Sequence, residues 1–283
     1  MMKIEVSALH VYPVKSLPGI SLQSARLEPT GLAGDRQWMV VDDNGRFVSQ
    51  RNTPAMALMG CELGDNQLVL HAPDHPPLAL PLEPSTGQHA AISVWRDKWQ
   101  ALDAGDDAAR WISGAIGQGR ALRLVRADAA RPRTQSQPDR YGPHTTTHFA
   151  DGAPYLVAGA DSLDRLNDSL SGQAGGAVDM RRFRPNIVVT GLPAFEEHAT
   201  GRLQGPGYDL ELRYPCQRCV ITTIDPDTAI ADPAREPFRT LATLNPMPGN
   251  PRAPAFGENA ILVSGAGATI RVGDMLTALP RKT

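Results

Sequence analysis

The sequence predicts a mainly β protein with a few helices, an α+β chain that is barrel-like in its summed pattern. Short runs of apolar residues with strand character recur from Ile4 to Leu279. Gly (26 residues) and Pro (25 residues) break these runs into lengths suited to small sheets rather than long helices. Amphipathic helical spacing is confined to two stretches, 108–116 and the segment after Asp161.

Taken in order, residues 4–11 form a first strand stopped by Pro13. The loop Pro13-Val14-Lys15-Ser16-Leu17-Pro18-Gly19 places a basic and a hydroxyl side chain at its centre. Strand-like residues 20–27 lead into the glycine-punctuated Gly31-Leu32-Ala33-Gly34-Asp35-Arg36. Residues 38–41 and 46–50 flank Asp43-Asn44-Gly45, a hairpin signal because Asn and Gly accept positive φ. Residues 61–102 alternate short apolar runs with Pro and Gly, as small sheets or a barrel do. Asp106 and Asp107 are placed to cap a helix over 108–116, with Trp111, Ile112, Ala115 and Ile116 on one face and Gly117 at its end.

Residues 128–148 have almost no apolar content and are expected to be a long connecting loop with the capacity to act as a lid. Asp161 caps a second helix whose face carries Leu163, Leu166 and Leu170. A Gly-rich piece, 172–176, precedes Met180-Arg181-Arg182-Phe183-Arg184-Pro185-Asn186 and a strand over 187–189. Further strands are expected at 208–213, 220–224, 259–263 and 269–272, the last pairing with 275–279 across Gly273-Asp274.

The 283 residues suffice for two domains or one large one. Hydrophobic content of 41% and charged content of 20% fit a soluble globular protein. A net charge near −2 gives no electrostatic reason to expect nucleic acid or an acidic membrane as partner. Lysine occurs only at positions 3, 15, 98 and 282, so arginine, the better fork for phosphate and carboxylate, supplies most positive charge. Three cysteines make no disulfide framework, and no apolar run is long enough for a signal core or a bilayer span. A cytoplasmic protein is expected.

The chemistry centres on Pro215-Cys216-Gln217-Arg218-Cys219 and the Asp225-Pro226-Asp227-Thr228 turn beyond it. A thiol beside a guanidinium ionises more readily, so the two cysteines could bind a metal, cycle as a redox pair, or simply pack. A second CxxC for structural zinc is lacking, and a thioredoxin-like pair belongs at a strand-to-helix turn, where a strand is expected here. Arg184 and Asn186 stand at a strand mouth, where paired N–H donors can hold an anion or merely edge the surface. Lys15, Ser16 and Arg36 pose the same choice, without a Walker pattern. His144 and His148 lack the glutamate of a zincin helix, and the threonines between them disfavour a helix.

Together these pieces resemble the MOSC family, named for the C-terminal domain of molybdenum cofactor sulfurases, and most resemble its amidoxime-reducing branch with its bacterial relatives. The resemblance covers nearly the whole chain. It rests on Tyr12-Pro13-Val14-Lys15-Ser16, Gly34-Asp35-Arg36, the segment Asp151 to Asn167, Phe183-Arg184-Pro185-Asn186-Ile187-Val188, Cys216-Gln217-Arg218-Cys219 with the Thr-Thr-Ile-Asp-Pro-Asp-Thr after it, and Phe256-Gly257-Glu258-Asn259 before Ile270-Arg271-Val272-Gly273-Asp274.

The resemblance implies a MOSC β-barrel holding a molybdenum cofactor (Mo-molybdopterin), with Cys219 as the protein ligand to the metal. It implies that Lys15, Ser16, Arg36, Arg184 and Asn186 clasp the pterin and its phosphate, helped by Gln217 and Arg218. Asn259 matches a position that touches the cofactor in relatives, which carry an aromatic residue there. Cys216 is then structural or supports the site.

It also implies that 1–36 and 126–283 form the barrel domain, with a smaller β-rich MOSC N-terminal region over 37–125. The implied activity is reduction of N-hydroxylated compounds such as amidoximes, hydroxylamines and N-hydroxylated bases. Some bacterial relatives carry a C-terminal [2Fe–2S] domain, which needs four cysteines, and this chain has none after Cys219. Electrons are therefore expected from a separate donor, ferredoxin-like, a flavin reductase or cytochrome b5-like. The alternative is a carrier that holds the cofactor or its sulfur and passes it on without reductase turnover.

Overall fold

The computed structural model describes residues 1–83, 87–171 and 176–281. Most of the Gly-rich 172–176 piece therefore lies outside the described residues. Seven strands close into a barrel: β1 (Met2–Val11), β2 (Tyr155–Gly159), β3 (Ile187–Thr190), β4 (Thr200–Gly205), β5 (Tyr208–Gln217), β6 (Asn250–Ser264) and β7 (Met275–Pro280). Their order around the barrel is β2-β3-β1-β7-β4-β5-β6, and β6 returns to β2 through Leu156↔Asn259. All pairings in the circuit are antiparallel except β2 with β3. Closure leaves this sheet without a free edge.

β1 shows how the sequence fills the barrel. Ile4 and Val6 point inward, but so does Leu9, one step out of phase. The pairing with β3 slips between Val6 and Ala8, and this bulge absorbs the phase change. Facing them inside are Val157, Ile187, Val189, Leu203, Leu210 and Leu276, all 0% exposed.

Residues between β1 and β2 form a smaller body. A four-stranded antiparallel sheet runs Trp38–Asp42, Leu122–Arg126, Asp97–Asp103, His89–Val94, and a three-stranded meander joins Gly60–Leu63, Gln67–Ala72 and His75–Pro81. The helix Asp106–Ile116 buries Ala108, Ile112 and Ile116 against them. Gly45 turns the chain after the first strand with φ 70, and an added Cβ would meet the Ala91 carbonyl oxygen at 2.1 Å. Only glycine allows that approach, which lets Ser93 N–H bond the Gly45 carbonyl at 2.8 Å.

The structure corrects several expectations. Gly105 and Gly159 occupy the N-cap positions of the two helices, while Asp106, Asp107 and Asp161 sit in the first turn, where they favour the helix dipole. Residues 220–224 are no strand: Val220–Thr223 is a 3₁₀ turn, because Thr222 and Thr223 hydroxyls bond back to the Cys219 and Val220 carbonyls. Thr269–Arg271 pairs with Ser24–Glu28 rather than with β7. Gly273 and Asp274 exchange backbone hydrogen bonds with Val6, which turns the chain from one sheet into the other.

The 128–148 segment carries structure of its own: Arg133–Thr134 pairs with Thr146–Thr147 around the short helix Pro138–Tyr141. Buried Arg133 pins it through an ion pair to Asp97 at 2.6 Å. No helix among the described residues is long and apolar enough to cross a membrane.

We propose that 37–125 is an insertion that folds as its own unit, with 1–36 and 126–283 as the barrel domain. The strand pairings of both smaller sheets fall within or next to 37–125. Val14 and Leu17, fully buried in its core, come from outside. Expressed alone, 37–125 should melt cooperatively but earlier than in the whole chain, because losing these two side chains costs roughly 3–6 kcal/mol. Circular dichroism melting is the check, and absence of a cooperative transition would count against the division.

Candidate functional site

One end of the barrel gathers the loop after β1, the loop 31–36, the turn before β3, the end of β5 and residues 149–153 before β2. A cavity of about 150 Å³ opens among them. All nine residues singled out from the sequence line it: Lys15, Ser16, Arg36, Arg184, Asn186, Gln217, Arg218, Cys219 and Asn259. They come from positions up to 244 residues apart (259 − 15), so the fold, not the sequence spacing, unites them.

Tyr12 is the hub. Its N–H bonds Asp35 at 2.9 Å and its hydroxyl donates to the Pro185 carbonyl at 3.1 Å. Burial raises this phenol to about 12, so it remains a donor. The guanidiniums of Arg36 and Arg184 lie 4.6 and 4.3 Å from its ring centre. Ser16, Arg36 and Arg184 all hold left-handed backbone, with φ of 70, 47 and 55. Such strain at three non-glycine positions persists only where the surroundings fix it.

The cations differ in how far the protein satisfies them. Arg36 is bound by Asp35 at 2.5 Å, by the Asn186 side chain at 3.2 Å and by the Arg184 carbonyl at 3.2 Å. Arg184, lowered to about 10 by burial, has no hydrogen-bond acceptor for its guanidinium among the described residues. Lys15 donates to Asp151 at 2.6 Å and to the Phe149 carbonyl at 2.7 Å. Burial lowers Lys15 to about 8 despite Asp151. Burial alone would raise Asp151, but the Lys15 ammonium holds it well below the usual carboxylate range.

Asn186 is occupied in holding the fold. Its side-chain oxygen accepts from Leu156 N–H at 3.1 Å as well as from Arg36, and its amide donates to the His10 carbonyl at 3.3 Å. Asn259 likewise bonds the Tyr214 carbonyl at 3.1 Å. Gln217, at the end of β5, is exposed.

At the cysteine pair, Arg218 donates to Cys216 Sγ at 2.9 Å and to the Phe183 carbonyl at 2.7 Å, while its buried Nε has no partner among the described residues. The guanidinium thus serves Cys216, not Cys219. Cys219 begins the 3₁₀ turn, and its Sγ makes no hydrogen bond among the described residues. Both thiols are free. His144 and His148 flank the extended pair Thr146–Thr147 and do not line the cavity.

Five cations (Lys15, Arg36, Arg51, Arg184, Arg218) and one carboxylate, Asp151, line the wall. An acceptor-less Arg184, an orphaned Arg218 Nε and a partnerless thiol fit a bound group that combines an anion with a soft-ligand metal. Arg51 had no local sequence signal. Asp151 had one, since it opens a segment that carries the family resemblance.

The profile of the MOSC N-terminal beta barrel domain matches residues 3–119, and that of the MOSC domain matches 144–277. Mitochondrial amidoxime-reducing component 1 of Mus musculus is 32% identical over 281 residues, covering 95% of this chain and 80% of that protein. Mitochondrial amidoxime reducing component 2 of Rattus norvegicus is 34% identical over 245 residues, covering 83% and 71%. The Homo sapiens component 1 is 30% identical over 281 residues, covering 95% and 81%. With both profiles in family order on a closed β-barrel, the chain belongs to the MOSC-domain family that includes the amidoxime-reducing components.

Proposed function

We propose that this protein is a molybdenum-cofactor-dependent reductase of N-hydroxylated compounds that draws electrons from a separate donor protein. The observation that carries the reading is the partnerless Cys219 thiol on the wall of a cavity lined by five cations. The names of the relatives, amidoxime-reducing components, point to the same substrate class.

In this reading Cys219 is the metal ligand. Arg184, Arg218 and Lys15 hold the anionic part of the cofactor, Arg36 contributes from its fixed position, and Ser16 and Gln217 line its berth. Asn186 and Asn259 act by fixing the backbone on either side. The bound cofactor supplies two-electron reduction, converting an N–OH group and two protons to N–H and water. The chain's own work is to bind, orient and screen that group from solvent.

Molybdenum per chain, measured on protein from a host able to make the cofactor, combined with benzamidoxime turnover under a chemical reductant, tests the reading. Near one metal with turnover supports it. Near zero overturns it, and one metal without turnover favours a carrier instead.

Lys15 adds a pH dependence. Its folded-state value, about 8, lies below the ordinary 10.5. Between those values the unfolded chain binds more protons, so this group alone makes the fold more stable as pH rises. Anion affinity runs the other way, because the ammonium is lost above about 8. Cofactor retention should fall about ten-fold across that step, the scale of one charge-assisted hydrogen bond, and K15M should flatten the profile.

A further inference from the structure

Above the cavity wall stands an aromatic cluster that the cofactor reading does not use. Trp95 sits at the turn between His89–Val94 and Asp97–Asp103, with φ 55 and 57% of its surface exposed. Left-handed backbone is costly for a bulky residue, and so is an exposed indole. Three contacts nevertheless hold the ring still. Phe47 meets it edge-to-face at 5.2 Å, Arg51 lies over it at 4.7 Å, and its Nε1 donates to Asp151 Oδ1 at 2.9 Å. That oxygen also accepts Lys15 Nζ. Phe47, Arg51 and Asp151 all belong to the cavity wall, so Trp95 extends the wall outward.

We infer that Trp95, backed by Arg51 and Phe47, is the specificity-determining wall for planar aromatic N-hydroxylated substrates. This rests on the reductase reading above. An aryl amidoxime is a conjugated flat plate, and a fixed indole flanked by a guanidinium offers it a stacking surface. An aliphatic amidoxime has the same reacting group without the plate. The Arg51 guanidinium has no hydrogen-bond acceptor among the described residues, so its charge is available to the polar edge of the same ligand. Gly45 supports the arrangement from behind, since it ties the Phe47 loop to the strand that leads to Trp95.

The test compares benzamidoxime with acetamidoxime on holoprotein. In W95A the ratio of their kcat/KM values should fall about ten-fold, carried by KM, on the scale of one lost aromatic stack. W95F keeps a ring but loses the N–H to Asp151, and should restore most of the ratio. Separately, benzamidoxime added without reductant should quench tryptophan fluorescence in the wild type and leave W95F unquenched.

An unchanged ratio in W95A, a W95F variant as impaired as W95A, or absent quenching each overturns the wall; the second would assign Trp95 to holding Asp151. If the wild type reduces neither compound, the reductase reading fails, while the quenching experiment still decides whether Trp95 stacks.

Discussion

Cys219→Ser should abolish benzamidoxime reduction, by more than about a thousand-fold, while the circular dichroism spectrum and melting curve stay close to wild type. Cys219 Sγ makes no hydrogen bond among the described residues, so exchanging it for a hydroxyl breaks no protein hydrogen bond. What it removes is the soft ligand, since a serine hydroxyl is harder and far less readily ionised than a thiol. Metal content should fall together with turnover. Cys216→Ser is the control that separates the two thiols: it disturbs the Arg218 contact, so a partial loss with metal retained is expected. Full activity in C219S, or metal loss confined to C216S, would move the ligand assignment to the other cysteine.

Arg184→Ala and Arg36→Ala should both weaken cofactor binding, yet differ in what they do to the fold. Removing Arg36 leaves Asp35, 2% exposed, without its guanidinium partner. Breaking one side of such a buried pair costs about 3–5 kcal/mol. Arg184 breaks no hydrogen bond when truncated, and its cation over Tyr12 is worth only about 0.5–2 kcal/mol, offset by relief of burying a charge. R184A should therefore melt within a few degrees of wild type while binding cofactor about 10- to 100-fold less well, the worth of charge-assisted hydrogen bonds to an anion. Thermal denaturation and cofactor content, measured on the same samples, check both. An R184A variant that keeps its cofactor would show that the acceptor-less guanidinium has another purpose.

The barrel was legible because its strands obey simple patterning: alternation in β1 and the short apolar run of β3 need no tertiary knowledge. The first half of β6 escaped notice because Pro251 and Pro254 argue against a strand, although the pairing partners of that stretch tolerate them. Residues 220–224 misled through the opposite fault, since Val-Ile-Thr-Thr-Ile has β propensity but its hydroxyls favour local turns. The nine cavity residues were marked by punctuated loops with unusual polar content, which survive in a linear reading. Arg51 and Trp95 carry no such mark. Arg51 lines the cavity and Trp95 stands beside it where Gly45 brings two loops of the smaller body together, and nothing in either loop announces the other.

The register of the barrel bears on how the chain is made. β1 pairs with β3 and with β7, the latter through Met2↔Ala278 and Ile4↔Leu276. β1 thus waits for a strand that follows it by about 270 residues, an interval on the order of tens of seconds at ordinary synthesis rates. The smaller body completes its sheets well before that. Meanwhile the Leu9–Val11 end of β1 can pair with the nearby residues 20–22, while its Met2–Glu5 end, with Ile4 on its buried face, lacks its β7 partner. Holdase chaperones that bind extended apolar segments should meet the nascent protein there, and slowing translation ahead of β7 should increase aggregation rather than relieve it.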